Sequence, residues 1–202
     1  MRIGLFGGTF DPPHLGHLIS VQVLAEKLNL DKVVFIPAGQ PPHKPDKIIS
    51  AAKHRYNMLK LVIEGNSKFE VDEFELDKTE PCYTINTVRY FLEKYTGEKM
   101  YWLIGADSLA ELPSWHRFDE LIELIEIVSA YRGGFERHRV LDELRAKTSK
   151  IQFDKLAKGL TRTPMIEISA SEIRRRVKLG MSIRYFVSYD VETYIMENGL
   201  YK

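Results

Sequence analysis

Short apolar runs alternate with helix-period segments along the first two thirds of the chain. Residues 3–6 (IGLF) form a compact apolar run, followed by a Gly/Pro-rich turn and then helical spacing over about 15–28. A second run, KVVFIP at 32–37, reads as a strand. Residues 50–65 read as a helix with a serine start and a glycine stop, and 69–76 alternate as a strand does. A helix at 84–95 ends before Gly97. The run MYWLI at 100–104, a helix at 118–124 and the run IVSAY at 127–131 follow. This strand–helix order predicts an α/β fold, a doubly wound parallel sheet with helices on both faces.

The tail differs. Residues 139–147 read as a charged helix and 165–168 (MIEI) as a last strand. Helices at 171–179 and 188–197 stop at Gly180 and Gly199. There is no internal repeat, low-complexity tract or linker. The expectation is one domain over 1–202, in which the residues from about 165 onward carry a second motif and pack on the sheet as a C-terminal helical extension. The run Lys53-His54-Arg55 reads as an exposed helix face.

Composition narrows the classes. The 202 residues are 44% hydrophobic and 28% charged, as in soluble globular proteins. A net charge of +1 argues against a nucleic-acid-coating protein, though a few local cations and helix ends suffice to hold a small polyphosphate. The single cysteine, Cys82, permits no intrachain disulfide and no thiolate metal cluster; it reads as a packing residue in a reducing compartment. No signal-peptide core or long uncharged apolar stretch is present, so the expected location is cytoplasmic, with no membrane partner.

The chemistry concentrates in Gly7-Gly8-Thr9-Phe10-Asp11-Pro12-Pro13-His14-Leu15-Gly16-His17, between the first strand and first helix. The glycines allow a sharp turn and close approach to a ligand, and the helix start offers free N–H groups to phosphate. His14 and His17 are three apart, so their rings share one side of the first turn and can donate hydrogen bonds to phosphate oxygens. The pair lacks a well-placed third ligand for zinc, and no metal ligand is assigned. Neither Gly-x-Gly-x-x-Gly nor a Walker lysine pattern occurs.

A second segment, Ile168-Ser169-Ala170-Ser171-Glu172-Ile173-Arg174, also opens a helix. Ser169 or Ser171 can cap it. A cation beside a helix start favours an anion at the same place. Of Arg174, Arg175 and Arg176, at most two can serve one site, and helix geometry leaves Arg174 and Arg175 open.

Together these segments resemble the nucleotidyltransferase superfamily with a His-x-Gly-His motif, specifically the bacterial nicotinate-nucleotide adenylyltransferases. The first motif matches Gly-Gly-x-Phe-Asp-Pro-x-His-x-Gly-His throughout. The second, usually Ile-Ser-Ser-Thr-x-Ile-Arg, keeps a hydroxyl at Ser171 and lacks one at Ala170. Pro41-Pro42-His43-Lys44, Tyr83-Thr84 and Gly105-Ala106-Asp107 with Trp115 extend the resemblance. Gly133 departs from the family's Arg-Pro-Gly.

The resemblance implies adenylyl transfer from ATP to nicotinate mononucleotide, in NAD biosynthesis. His14, His17 and Arg174 are the implied catalytic residues. Gly8, Thr9, Phe10, Gly105, Asp107, Ile168, Ser169 and Ser171 join them around ATP. His43, Lys44, Tyr83, Thr84, Asp107 and Trp115 are implied on the mononucleotide side, Asp107 at a ribose and Trp115 on the pyridine. Magnesium is implied with ATP, held largely by phosphate and water. A pantetheine-phosphate enzyme, a cytidylyltransferase and, far behind, a tRNA-synthetase-like nucleic-acid module are the rivals; no nucleic-acid partner is expected, and self-association stays open.

Overall fold

The structure is a computed structural model that describes residues 1–39, 49–76, 78 and 80–202, apart from the side chains of 134–136. Its strands are β1 (Arg2–Gly8), β2 (Lys32–Pro37), β3 (Phe69–Val71), β4 (Lys99–Gly105), β5 (Glu126–Tyr131) and β6 (Leu160–Arg162). They form one sheet in the order β3-β2-β1-β4-β5-β6 with every neighbouring pair parallel. Winding therefore reverses between β1 and β4, and a crevice opens beyond their carboxyl ends, where such sheets bind ligands.

The strands are buried on both faces, which is why they read as apolar runs. One face carries Leu5, Ile36, Trp102 and Ile104 against α3 (Thr84–Lys94), α4 (Ala106–Glu111), α5 (Phe118–Leu124), α6 (Gly134–Lys147) and α7 (Lys150–Lys158). The other carries Val33, Phe35, Tyr101 and Leu103 against α1 (Leu15–Lys27) and α2 (Ala52–Ile63). A third cluster joins Met58 of α2 to Ile173 and Val177 of α8 (Ala170–Lys178) and Val191 and Ile195 of α9 (Tyr189–Glu197). The helical extension thus packs on the helix layer, through α2, rather than on the sheet itself.

Several expected elements are corrected. Residues 165–168 are not a strand; the last strand is β6, pairing Ser129 with Leu160 and Tyr131 with Arg162. Pro164 has no N–H for a ladder, and the Ile166 carbonyl accepts from Arg132 Nη1 at 3.0 Å instead. The strand expected over 69–76 ends at Val71, because Asp72 Oδ1 accepts from Phe74 N–H and turns the chain. Helix α6 begins at Gly134, before the expected residue 139. Helix α7 was not expected; Ser149 and Gln152 cap it reciprocally. Among the described residues no helix is long and apolar enough to cross a membrane.

Candidate active site

At the winding reversal, Gly8 ends β1 and Gly105 ends β4, above a cleft of about 510 Å³. Gly8, Thr9, Tyr83, Thr84, Gly105 and Trp115, all picked out in the sequence, line it together. The tight seat of β1 requires glycine: a Cβ on Gly7 would lie 2.9 Å from the indole of Trp102 on the neighbouring strand. Tyr83 precedes α3 without capping it through its side chain, so the first N–H groups of that helix, from Thr84, face the cleft end without a side-chain acceptor from the cap.

The two histidines cap α1. His14 is the N-cap, and its Nδ1 accepts from His17 N–H at 3.3 Å, while His17 Nδ1 accepts from His14 N–H at 3.2 Å. The rings stack with centroids 3.6 Å apart. An Nδ1 that accepts carries no proton, so each neutral ring holds its proton on Nε2. No described residue partners either Nε2. Burial, and then the Arg132 guanidinium, pull His14 down to about 4. Burial, His14 and Arg132 hold His17 well below the ordinary histidine range. Both imidazoles are therefore neutral Nε2–H donors at pH 7. Gly16 lets them stack, since a Cβ there would sit 3.1 Å from His14 Nδ1.

Phe10 is buried beneath this pair at φ 50°, its ring 5.2 Å from that of His17. It props the loop from inside rather than lining the cleft.

In the second segment, Ser169 caps α8 by accepting from Glu172 N–H at 3.2 Å, and its Oγ lies 3.1 Å from Ser171 Oγ. Both serines are exposed, and Ile168 is half-buried against the α8–α9 cluster. The three arginines diverge. Arg175 pairs with Glu172, and Arg176 donates to Ser182 O and lies over Phe186. Arg174 alone of the three turns to the first motif, where Nη1 donates to Asp11 O at 2.6 Å.

Asp107 is not brought into the cleft. It sits in the first turn of α4, 79% exposed, and its Oδ1 accepts from Arg139 Nη2 at 2.7 Å. His43 and Lys44 lie outside the described residues.

The structure adds residues that sequence reading missed. Arg55, read as part of an exposed face, is 2% exposed. It donates to the carbonyls of Ser50, Thr9 and Gly39, holding the ends of β1 and β2 together. Its place on the stripe with Met58, Leu59 and Ile63 was the available signal. Glu75 is buried in the cleft wall and accepts from Thr87 Oγ1 at 2.5 Å; burial pushes its carboxyl up. His116, given no role from sequence, packs against Tyr83 at the cleft with ring centroids 4.4 Å apart and planes tilted by 33°. Trp102 also lines it, and its buried Nε1 has no partner among the described residues. Cys82 is half-buried at the same wall.

Residues 5–176 match the family described as cytidylyltransferase-like. Over 201 residues the chain is 41% identical to a protein of Thermomicrobium roseum named a probable nicotinate-nucleotide adenylyltransferase, covering 100% of this chain and 92% of that one. A Caldicellulosiruptor saccharolyticus protein of the same name is 41% identical over 202 residues, 100% of both chains. In fold the chain is similar to Plasmodium falciparum nicotinic acid mononucleotide adenylyltransferase complexed with NaAD, with a TM-score of 0.73 and 21% identity over 99% of this chain and 97% of that one.

Proposed function

The chain belongs to the cytidylyltransferase-like family, in the group of its nicotinate-nucleotide adenylyltransferase relatives, and on that premise we propose that it joins ATP to nicotinate mononucleotide. A phosphate oxygen of the mononucleotide attacks the α-phosphorus of ATP. The new O–P bond replaces the bond to the β-phosphate oxygen, pyrophosphate leaves, and nicotinate adenine dinucleotide forms. No covalent enzyme intermediate is required; the protein positions two anions and stabilises the charge that shifts between their oxygens.

The reciprocal His14–His17 cap is the observation that carries this reading. It fixes two neutral Nε2–H donors at a helix start, without the cost of a buried charge before substrate arrives. Arg174, anchored on Asp11 O, adds a permanent cation beside the same loop. Gly8, Thr9 and Gly105 offer backbone to the nucleotide, Ile168, Ser169 and Ser171 frame the adenylyl side, and Trp115 and Tyr83 offer ring faces to the pyridine. Thr84 N–H reads the carboxylate. Asp107 reaches a ribose only by leaving Arg139, and His43 and Lys44 approach the substrate phosphate.

Magnesium enters with ATP. Among the described residues no cluster of three or more His, Cys, Asp or Glu can hold a metal, and the Asp11 carboxylate is engaged by Tyr201 and Ser50. Bound with ATP, the ion would be held largely by phosphate and water and would neutralise charge on the polyphosphate. The proposed setting is the cytoplasm, with small-molecule partners.

The test is pyrophosphate release with ATP and magnesium against a panel of nicotinate mononucleotide, nicotinamide mononucleotide and phosphopantetheine, repeated with CTP in place of ATP. Release with the nicotinate substrate above all others is expected. Release only with another acceptor moves the chain to a different transferase of the superfamily.

A further inference from the structure

Tyr201 lies 190 residues beyond Asp11 in sequence, yet its hydroxyl donates to Asp11 Oδ1 at 2.6 Å. The second carboxylate oxygen accepts from Ser50 N–H at 3.2 Å. Asp11 is 4% exposed, so both oxygens depend on these donors. Its backbone carbonyl seats Arg174 Nη1 at 2.6 Å. The preceding residue, Phe10, has φ 50°, and Tyr201 itself has φ 65°. Non-glycine residues persist in that region only where surrounding contacts over-determine them. The same part of the chain also holds the other end of the first motif, because Leu15 N–H at the start of α1 donates to Phe186 O at 3.0 Å.

We propose that Tyr201 is a positioning residue for the phosphate-facing half of the site: by occupying the Asp11 carboxylate it keeps Asp11 from capturing Arg174, and it fixes the carbonyl on which Arg174 is seated. Arg174 lies close enough to this hydroxyl for its charge to act on it. Two guanidinium groups lie beside this carboxylate: Arg55, whose charge acts on Asp11 but which is spent on the carbonyls of Ser50, Thr9 and Gly39, and Arg174, already at the Asp11 carbonyl. With the hydroxyl gone, Arg174 has the lighter anchoring and turns to the carboxylate, and an Asp11–Arg174 ion pair withdraws the cation from the ligand. The mononucleotide wall, built by Thr84, Trp102 and Trp115, belongs to α3, β4 and the segment after α4 and is untouched by this exchange. The inference rests on the adenylyl-transfer reading of the site.

The experiment compares wild type, Tyr201→Phe, Asp11→Asn and the double variant. Steady-state kinetics with both substrates is paired with calorimetric binding of a non-hydrolysable ATP analogue. In Tyr201→Phe, kcat falls about tenfold, and KM for ATP and Kd for the analogue rise severalfold. KM for nicotinate mononucleotide stays within about twofold. An asparagine at 11 cannot ion-pair with Arg174, so adding Tyr201→Phe to Asp11→Asn costs less than about threefold. A merely structural tyrosine lowers Tm and leaves kcat, KM and Kd of the folded protein unchanged; that result overturns the proposal. Equal costs of Tyr201→Phe in both backgrounds overturn the route through Asp11. If wild type uses no nicotinate mononucleotide, the functional reading fails, and the analogue Kd still decides the role of Tyr201.

Discussion

His14 and His17 satisfy one another: each Nδ1 accepts the other's backbone N–H, at 3.3 and 3.2 Å, with the rings stacked 3.6 Å apart. The motif proposed to present two donors to phosphate is therefore also the structural cap of α1. On that proposal, stability and activity are coupled at these two positions.

The coupling has a pH signature. His14 is held at about 4 in the folded protein against 6.5 for a free histidine, chiefly by burial. Between those values the unfolded chain binds a proton that the folded chain does not, so stability is complete above pH 6.5 and falls as pH drops towards 4. The loss from this group is about 3 kcal/mol. His14→Asn, which keeps an N-cap acceptor without a titrating ring, is expected to flatten the slope of unfolding free energy between pH 6.5 and 4. Parallel slopes in wild type and variant would contradict the assignment.

Removing the transition-state donor is expected to cost more activity than stability. His17→Ala should lower kcat by about 10²–10³-fold. The lost backbone cap should destabilise by about 1 kcal/mol, visible as a small shift in a urea midpoint. A folded His17→Ala protein with turnover near wild type would remove His17 from the reaction.

Arg174 and Arg175 are neighbours with different partners, Asp11 O for the first and Glu172 for the second. Arg174→Ala is expected to lower kcat/KM for ATP by about tenfold or more. Arg175→Ala and Arg176→Ala should stay within about threefold, since surface pairs contribute little. Equal losses at 174 and 175 would show that the phosphate side draws on both.

Arg55 spans three carbonyls, of Ser50, Thr9 and Gly39, at 3.0, 3.0 and 3.4 Å from inside the core. Arg55→Ala leaves buried acceptors and a void, and should destabilise by about 3 kcal/mol. Because Thr9 lines the cleft proposed to bind the nucleotide, KM for ATP should rise in the folded variant. Denaturant unfolding with the same midpoint as wild type would sink this role.

Substrate choice should follow the donors at the cleft. The start of α3, which has no side-chain cap, presents the N–H groups of Thr84 and Ile85 as donors only. A carboxylate accepts from both, whereas a carboxamide offers one acceptor and sets an NH2 against the other. The difference is worth roughly 1–3 kcal/mol, or about one to two decades in kcat/KM in favour of nicotinate mononucleotide. Paired kinetics with the two mononucleotides at saturating ATP decides it; equal efficiencies would mean that no carboxylate is read there.

The doubly wound sheet was legible because its strands are buried on both faces and so appear as continuous apolar runs, KVVFIP and MYWLI among them. The first motif was legible because a strand end, a glycine turn and a helix start are contiguous, which places Gly8, Thr9, His14 and His17 by local geometry alone. Strand 165–168 was misread because a short apolar run does not say which segment pairs with a neighbour: Leu160–Arg162 takes the place beside β5, and the Ile166 carbonyl accepts from Arg132 instead. Arg55 was misread because a charged residue on an apolar stripe looks solvated until its acceptors, the nearby Ser50 carbonyl and those of Thr9 and Gly39 from other loops, are assembled around it.

Helix periodicity restricted the phosphate-side cation to two neighbours, since residues 100° apart cannot all face one point. The choice of Arg174 for Asp11 came from the docking of α8 on α2, a contact between segments far apart in the chain. The bond from Tyr201 to Asp11 is of the same kind. Local rules act over a turn or a strand, so they reach the chemistry of each motif. The distance between motifs is set by long-range packing, and only the folded chain contains it.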